Sequence, residues 1–216
     1  AILSCLPPAR KFNTLVSLSK ALSPYVNRLA VMRGTPEARL AGKLLDSDDC
    51  VRPLLGQRSD AFYCDIQDAW QWNSRYWEQR ALDVVENNPQ LALKFAEHAV
   101  GIERHPHTLT TLAKIEFEVA AFGASAHDGP TRVKSGMEHT DAAILESYSR
   151  KRLEIHPFDS AIRGLVKYCK SAHAAGREDD FGALNSWVRN LLRTTQENFG
   201  PRQRKALEDI WSSAHL

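Results

Sequence analysis

Two Arg–His pairs stand at spacings that could serve RNA cleavage: Arg132 lies seven positions before His139, and Arg150 six before His156. In such a pair the guanidinium binds the scissile phosphate, and the imidazole handles the proton of the 2′-hydroxyl. Eighteen arginines and eight histidines in 216 residues give about two matches of this kind by chance, the number seen, so the spacing alone carries little weight. Arg132 also falls in a Gly- and Pro-containing stretch that reads as a loop. His98, His105 and His107 cluster in sequence, but a metal would want three converging ligands with carboxylate or thiolate help. His105 and His107 flank Pro106 at a helix boundary, where capping or facing water is the simpler expectation. No metal and no cofactor are expected. Cys5, Cys50, Cys64 and Cys169 form no Cys-x-x-Cys pair, which suits free thiols in a reducing, cytoplasmic compartment. Gly-x-Ser-x-Gly is absent. Glu116, Glu118, Asp179 and Asp180 read as solvated carboxylates, the last two placed to start a helix. Arg202, Arg204 and Lys205 read as a solvated helix face.

Composition narrows the classes further. The chain is 43% hydrophobic and 25% charged with a net charge of +2, ordinary for a folded protein. That balance leaves no broad footprint for duplex nucleic acid. No apolar run approaches the roughly 20 residues a membrane span requires. Ala1 and the Ile-Leu-Ser-Cys-Leu-Pro-Pro that follows suggest a piece of a larger protein.

The elements that must position these residues are helical. Phe12, Leu15, Val16, Ser19 and Leu22 recur at helical spacing, predicting a helix over 10–22. Ser23-Pro24 and Thr35-Pro36 read as cap-plus-proline starts of a second and third helix, with a short helical piece over 50–56. Phe62, Ile66, Trp70, Trp77, Ala81 and Val84 fall on one face of a single long periodic stretch, 59–86. Trp70 and Trp77 are therefore core residues, and Trp72, out of phase, is the aromatic expected at the surface. Asn88-Pro89 starts the next helix, and another spans 108–122. A loop is expected at 123–138 from its Gly, Ser and Pro content. Helices follow at 139–155, 158–175, 179–198 and 201–214, with Gly176 and Gly200 as helix-ending glycines. No segment alternates as a strand does, so the expectation is an all-α fold.

Ile102-Glu-Arg-His105-Pro106 resembles Leu153-Glu-Ile-His156-Pro157, 51 positions on, and the same displacement sets Ala113 over Gly164. A small residue at a fixed place lets two helices approach closely, as stacked helical hairpins require. Trp77-x3-Ala81, Ala92-x6-Ala99 and Pro106 resemble the tetratricopeptide repeat (TPR), although Ala96 stands where that pattern carries Phe. Ser23 to Arg28, Thr35 to Ala41 and Asp68 to Arg80 are similar in texture to the C-terminal helical regions of bacterial STAND-type ATPases, some of them acting in anti-phage defence. No phosphate-binding Gly-x4-Gly-Lys-Ser/Thr is present, so an ATPase would lie upstream.

What the resemblance implies is an irregular α-solenoid of stacked hairpins forming one domain over 1–216. Its parts would be an irregular 10–58, TPR-like hairpins over 59–175 and capping helices over 179–214. The expected function is non-catalytic protein or peptide binding, with no membrane and no nucleic acid as partner, as the regulatory part of a larger NTPase. Carried over residue by residue, the repeat pattern would put Arg75, Glu78, His107, Thr110, Lys114, Phe117, Phe158 and Tyr168 in the binding groove. The alternative is a helical ribonuclease resembling the HEPN family, whose mark is the Arg–His spacing above.

Overall fold

The computed structural model describes residues 7–26, 59–122, 128–151, 153–177 and 181–214, and among them are nine α-helices and no strand. In chain order these are α1 (Pro8–Val26), α2 (Ser59–Trp70), α3 (Ser74–Val84), α4 (Pro89–Ile102), α5 (Pro106–Phe122), α6 (Asp128–Ser149), α7 (His156–Ala174), α8 (Phe181–Asn198) and α9 (Pro201–Ser212). The protein is all-α over these residues. The helix expected after Thr35-Pro36 and the piece over 50–56 lie outside the described residues.

Helix α1 runs past Ser23-Pro24, where a cap was expected. The Ser23 hydroxyl instead donates to the carbonyl of Ala69 on α2. Proline two residues from the helix end removes one late hydrogen bond, and the α1–α2 contact offsets it. The Trp70 indole reinforces that contact by donating to Ser19 O at 3.2 Å.

The stretch 59–86 is two helices rather than one. The break at Gln71-Trp72-Asn73 is held by side chains that satisfy the opened backbone. Asn73 accepts from Arg75 N at 2.8 Å, Trp72 Nε1 donates to Ala69 O at 2.7 Å, and Trp77 Nε1 donates to Gln71 O at 2.8 Å. Trp70 and Trp77 are buried and Trp72 is 36% exposed, as their phases predict.

The largest correction falls at 123–138. Residues 128–138 are not loop but the first half of α6. Pro130 sits in the first turn, where its missing N–H costs nothing. Gly129, Val133, Gly136, Thr140, Ala143, Ile144 and Ser147 are the buried face of that helix. A Cβ at Gly136 would stand 2.8 Å from the Phe117 ring, and one at Gly164 on α7 would stand 2.6 Å from Phe117 Cβ. Both glycines therefore mark close helix approaches around one ring. Helix α6 ends at Ser149, short of the expected 155, and Lys151 follows at φ +55. Gly176, at φ +68, ends α7, while Gly200, at φ −67, serves as the N-cap of α9.

The packing proceeds in sequence order. α3 pairs with α4 and α5 with α6, while α5 also packs against α3, α4 and α7. Three apolar cores result. An aromatic one joins α1–α3 through Leu15, Phe62, Tyr63, Trp70, Tyr76 and Trp77. A small-residue one joins α3–α5 through Ala81, Ala92, Ala96, Leu112, Ile115 and Val119. The third runs from α5 to α9 and includes Phe117, Phe158, Leu165, Val188, Leu207 and Trp211. Pairwise packing of this kind is compatible with a stack of helical hairpins.

Candidate functional site

Helices α3, α5 and α7 present their first turns to one cleft of about 520 Å³. α3 supplies Ser74, Arg75 and Glu78, the α4–α5 link supplies Glu103 and His105, α5 supplies His107 and Thr108, and α7 supplies His156. The two His-Pro junctions read in sequence explain the meeting. Each proline fixes the start of a helix, so each histidine arrives at the same level of the stack.

Glu78 lies at the floor, 3% exposed. Its Oε1 accepts from Thr111 Oγ1 at 2.9 Å, and its Oε2 is 3.8 Å from Arg75 Nη1. Burial pushes the Glu78 carboxyl above the usual range, with the Arg75 charge and the Thr111 hydroxyl opposing. Glu103 Oε2 accepts from Ser74 Oγ at 3.0 Å. The His105 and His107 rings stack with centroids 5.2 Å apart, and His105 Nδ1 accepts from His107 N at 3.2 Å. His107 Nε2 faces Glu154 at 3.7 Å. Desolvation by the cleft wall lowers His105, helped by the Arg150 charge. It lowers His156 too, helped by the charges of His107 and Lys114. These two imidazoles are therefore neutral hydrogen-bonding groups near pH 7.

Of the eight groove residues expected from the repeat pattern, Arg75, Glu78 and His107 line this cleft. Lys114 is half-buried and does not line it. Thr110, Phe117 and Phe158 are not surface residues. Thr110 is buried with its hydroxyl on Pro106 O at 2.7 Å. Phe117 is fully buried, and the Phe158 ring packs edge-on against Phe199. The reason is that α5 is surrounded by α3, α4, α6 and α7, which bury Thr110 and Phe117 and leave only a narrow stripe of it, Lys114, Glu118 and Phe122, toward solvent. Tyr168, 1% exposed, borders a separate apolar cleft of about 250 Å³ with Val133, Met137 and Leu184. The sequence reading missed Ser74, Glu103, His105, Thr108 and His156, although the repeated His-Pro already placed two of them at equivalent helix starts.

The Arg–His pairs occupy different settings. Arg132 is on helix α6, not in a loop, two turns before His139. His139 Nδ1 is 2.8 Å from Oε2 of the buried Glu116, whose Oε1 accepts from Ser135 Oγ at 2.6 Å. Glu116 is thus an interhelix anchor, where a solvated carboxylate was expected. Arg150 stands 4.0 Å from Glu146, and His156 belongs to the cleft. His98 packs its ring edge-on to Trp77, away from His105 and His107. Among the described residues no group of His, Cys, Asp or Glu is arranged to hold a metal ion, and no helix is long and apolar enough to cross a membrane. Cys64 is an exposed thiol and Cys169 is buried; Cys5 and Cys50 lie outside the described residues.

Comparison with known proteins adds no relative: no protein-family model, curated protein or solved structure matches the chain.

Proposed function

We propose that this chain is a non-catalytic protein-binding module that receives a segment of its partner in the cleft at the first turns of α3, α5 and α7. One observation supports the reading above the others: three successive first helices contribute side chains to one open polar cleft. A stack of helical hairpins recognises extended ligands across such a surface. The resemblance of 68–80 to helical regions of STAND-type ATPases supports a regulatory role beside an upstream NTPase in a cytoplasmic protein. The test is affinity capture with the 216-residue chain as bait. The wild type is compared with Arg75→Glu/His107→Glu, which alters the cleft, and with Leu145→Glu on the 70% exposed site of α6. A partner retained by the wild type and by Leu145→Glu, and lost with the cleft variant, supports the reading. Identical capture by all three chains would exclude the cleft as the binding surface.

A further inference from the structure

Away from the cleft, the interface of α5 and α6 holds an oriented imidazole. His139 Nδ1 stands 2.8 Å from Oε2 of the buried Glu116, and Glu116 Oε1 accepts from Ser135 Oγ at 2.6 Å. Ser135 and His139 lie one turn apart on α6, so one helix face holds both oxygens of the carboxylate. An ionised carboxylate only accepts, so in the neutral ring Oε2 takes the Nδ1 proton and the lone pair is left on Nε2. That second nitrogen bonds no described residue and is open to water, the side chain being 29% exposed. A nucleophilic nitrogen, a carboxylate that fixes its tautomer and a hydroxyl that fixes the carboxylate support one another in series. Besides Glu116, the charges acting on His139 are those of Arg104 and Glu138. Arg104 is 58% exposed, and its Nε is engaged on Glu146 at 2.8 Å. Its two terminal nitrogens bond no described residue, which leaves them open to an anion beside the imidazole. Among the described histidines, His139 alone has a carboxylate within hydrogen-bond distance; His107 stands 3.7 Å from Glu154.

We propose that His139 Nε2 is a phosphoryl-accepting site, filled from a donor of the phosphoramidate class and supported by Glu116 through Nδ1. In the transfer Nε2 bonds to phosphorus as the P–N bond of the donor breaks. The electron pair of that bond leaves on the donor nitrogen, which takes a proton from water, and nothing is oxidised or reduced. The ring keeps its Nδ1 proton, and the positive charge that develops on it lies against Glu116. Phosphoryl transfer asks for positioning and charge stabilisation more than for further covalent chemistry. The Arg104 guanidinium supplies the second by pairing with the phosphoryl oxygens. The bond to Glu116 also raises His139, so the neutral, nucleophilic ring belongs to the alkaline side of the titration. His139 does not line the cleft, so this site and the protein-binding reading stand or fall separately.

The experiment treats the 216-residue chain with potassium phosphoramidate at about pH 8, where an imidazole is largely neutral. Phosphorus and nitrogen NMR then follow each histidine. His139 should be phosphorylated at Nε2 about tenfold faster than the exposed His173, the effect of an oriented nucleophile. In concentrated urea the two should react alike. Glu116→Gln should slow His139 about tenfold and raise the share of its Nε2-protonated tautomer in the nitrogen spectrum, a shift that a merely structural role would not produce. Ser135→Ala, which loosens the carboxylate, and Arg104→Gln, on the surface, should each slow it about threefold. Circular dichroism checks the fold, and if Glu116→Gln is misfolded the Ser135→Ala and Arg104→Gln rates decide. Reaction of His139 no faster than His173, phosphorylation at Nδ1, or rates unchanged in the folded variants overturns the proposal.

Discussion

Helices α5 and α7 both begin at a His-Pro junction, 51 positions apart, and the structure uses them in opposite ways. α5 carries Leu112 and Val119 into the core it shares with α4; their counterparts on α7 are Arg163 and Lys170, both exposed. Glu116 on α5 is buried and bound to Ser135 and His139; its counterpart Lys167 reaches from the surface of α7 to Glu118. Thr111 holds Glu78, whereas its counterpart Ile162 is fully buried in the apolar core. The repeat thus specifies where a helix begins and where it is thin enough to be approached. The number of neighbours around it decides which faces must be apolar.

The thin point gives the sharpest way to break this comparison. Phe117 of α5 fills the space left by Gly136 on α6 and Gly164 on α7. Phe117→Ala should cost about 3–5 kcal/mol in urea unfolding, from lost burial and the cavity left behind. Gly164→Ala should cost about 1–3 kcal/mol in the wild type, because its Cβ meets the root of the Phe117 side chain, which cannot move aside. In the Phe117→Ala background this cost should largely remain, because alanine keeps the Cβ that stands 2.6 Å away, whereas Gly136→Ala, whose Cβ meets only ring atoms of Phe117, should there become close to neutral, a coupling that a double-mutant cycle measures. At the equivalent place on α5, Ala113→Gly should lose only about 1 kcal/mol of helix propensity. Equal costs for Gly136→Ala in both backgrounds would remove the close approach from the account.

The polar contact of α5 gives the next effect. Thr111→Val leaves Oε1 of buried Glu78 without its donor and should cost about 1–3 kcal/mol. Ile162→Val, its counterpart on α7, should cost about 0.5–1.5 kcal/mol by removing one methyl group. The Thr111→Val loss should shrink when Glu78→Gln is also present, since the amide's desolvation is smaller than the carboxylate's. An undiminished loss would mean that Thr111 acts through packing rather than through its hydroxyl.

These contrasts also locate what was legible in the sequence. Helix starts at Pro89 and Pro201, the burial of Trp70 and Trp77, and the Ala113/Gly164 register all follow from local chemistry: a proline's fixed φ, a period of 3.6, a missing side chain. The loop assigned to 128–138 failed because glycine was weighed as a breaker. Its spacing, Gly129, Val133, Gly136, Thr140, is that of a helical face, and Gly136 is there to admit the Phe117 ring. The groove residues Thr110, Phe117 and Phe158 failed because a linear pattern does not count neighbours, and α5 has four. Arg80 was silent for a similar reason. Its guanidinium bonds Gln67 at 2.7 Å and lies 4.6 Å over the Phe95 ring, partners on the two flanking helices that no spacing rule connects.

Histidine titration supplies the smallest effect, and it again opposes the α5 side to the start of α7. His139 is raised chiefly by its hydrogen bond to Glu116, with burial opposing. Its contribution to stability is therefore fully present below the ordinary imidazole value of 6.5 and is lost as pH rises through the folded value. His156 is lowered, chiefly by desolvation, so the folded state resists its protonation and loses stability as pH falls below 6.5. Urea midpoints across this range should show His139→Gln most destabilising in acid and converging on the wild type as pH rises. His156→Gln should match the wild type in base and exceed it in acid. Two flat difference curves would show that neither imidazole changes its proton affinity on folding. A slope for His139→Gln alone would keep the Glu116 anchor and remove the desolvated cleft. The sign of each slope, more than its size, identifies the wall against which each ring is held.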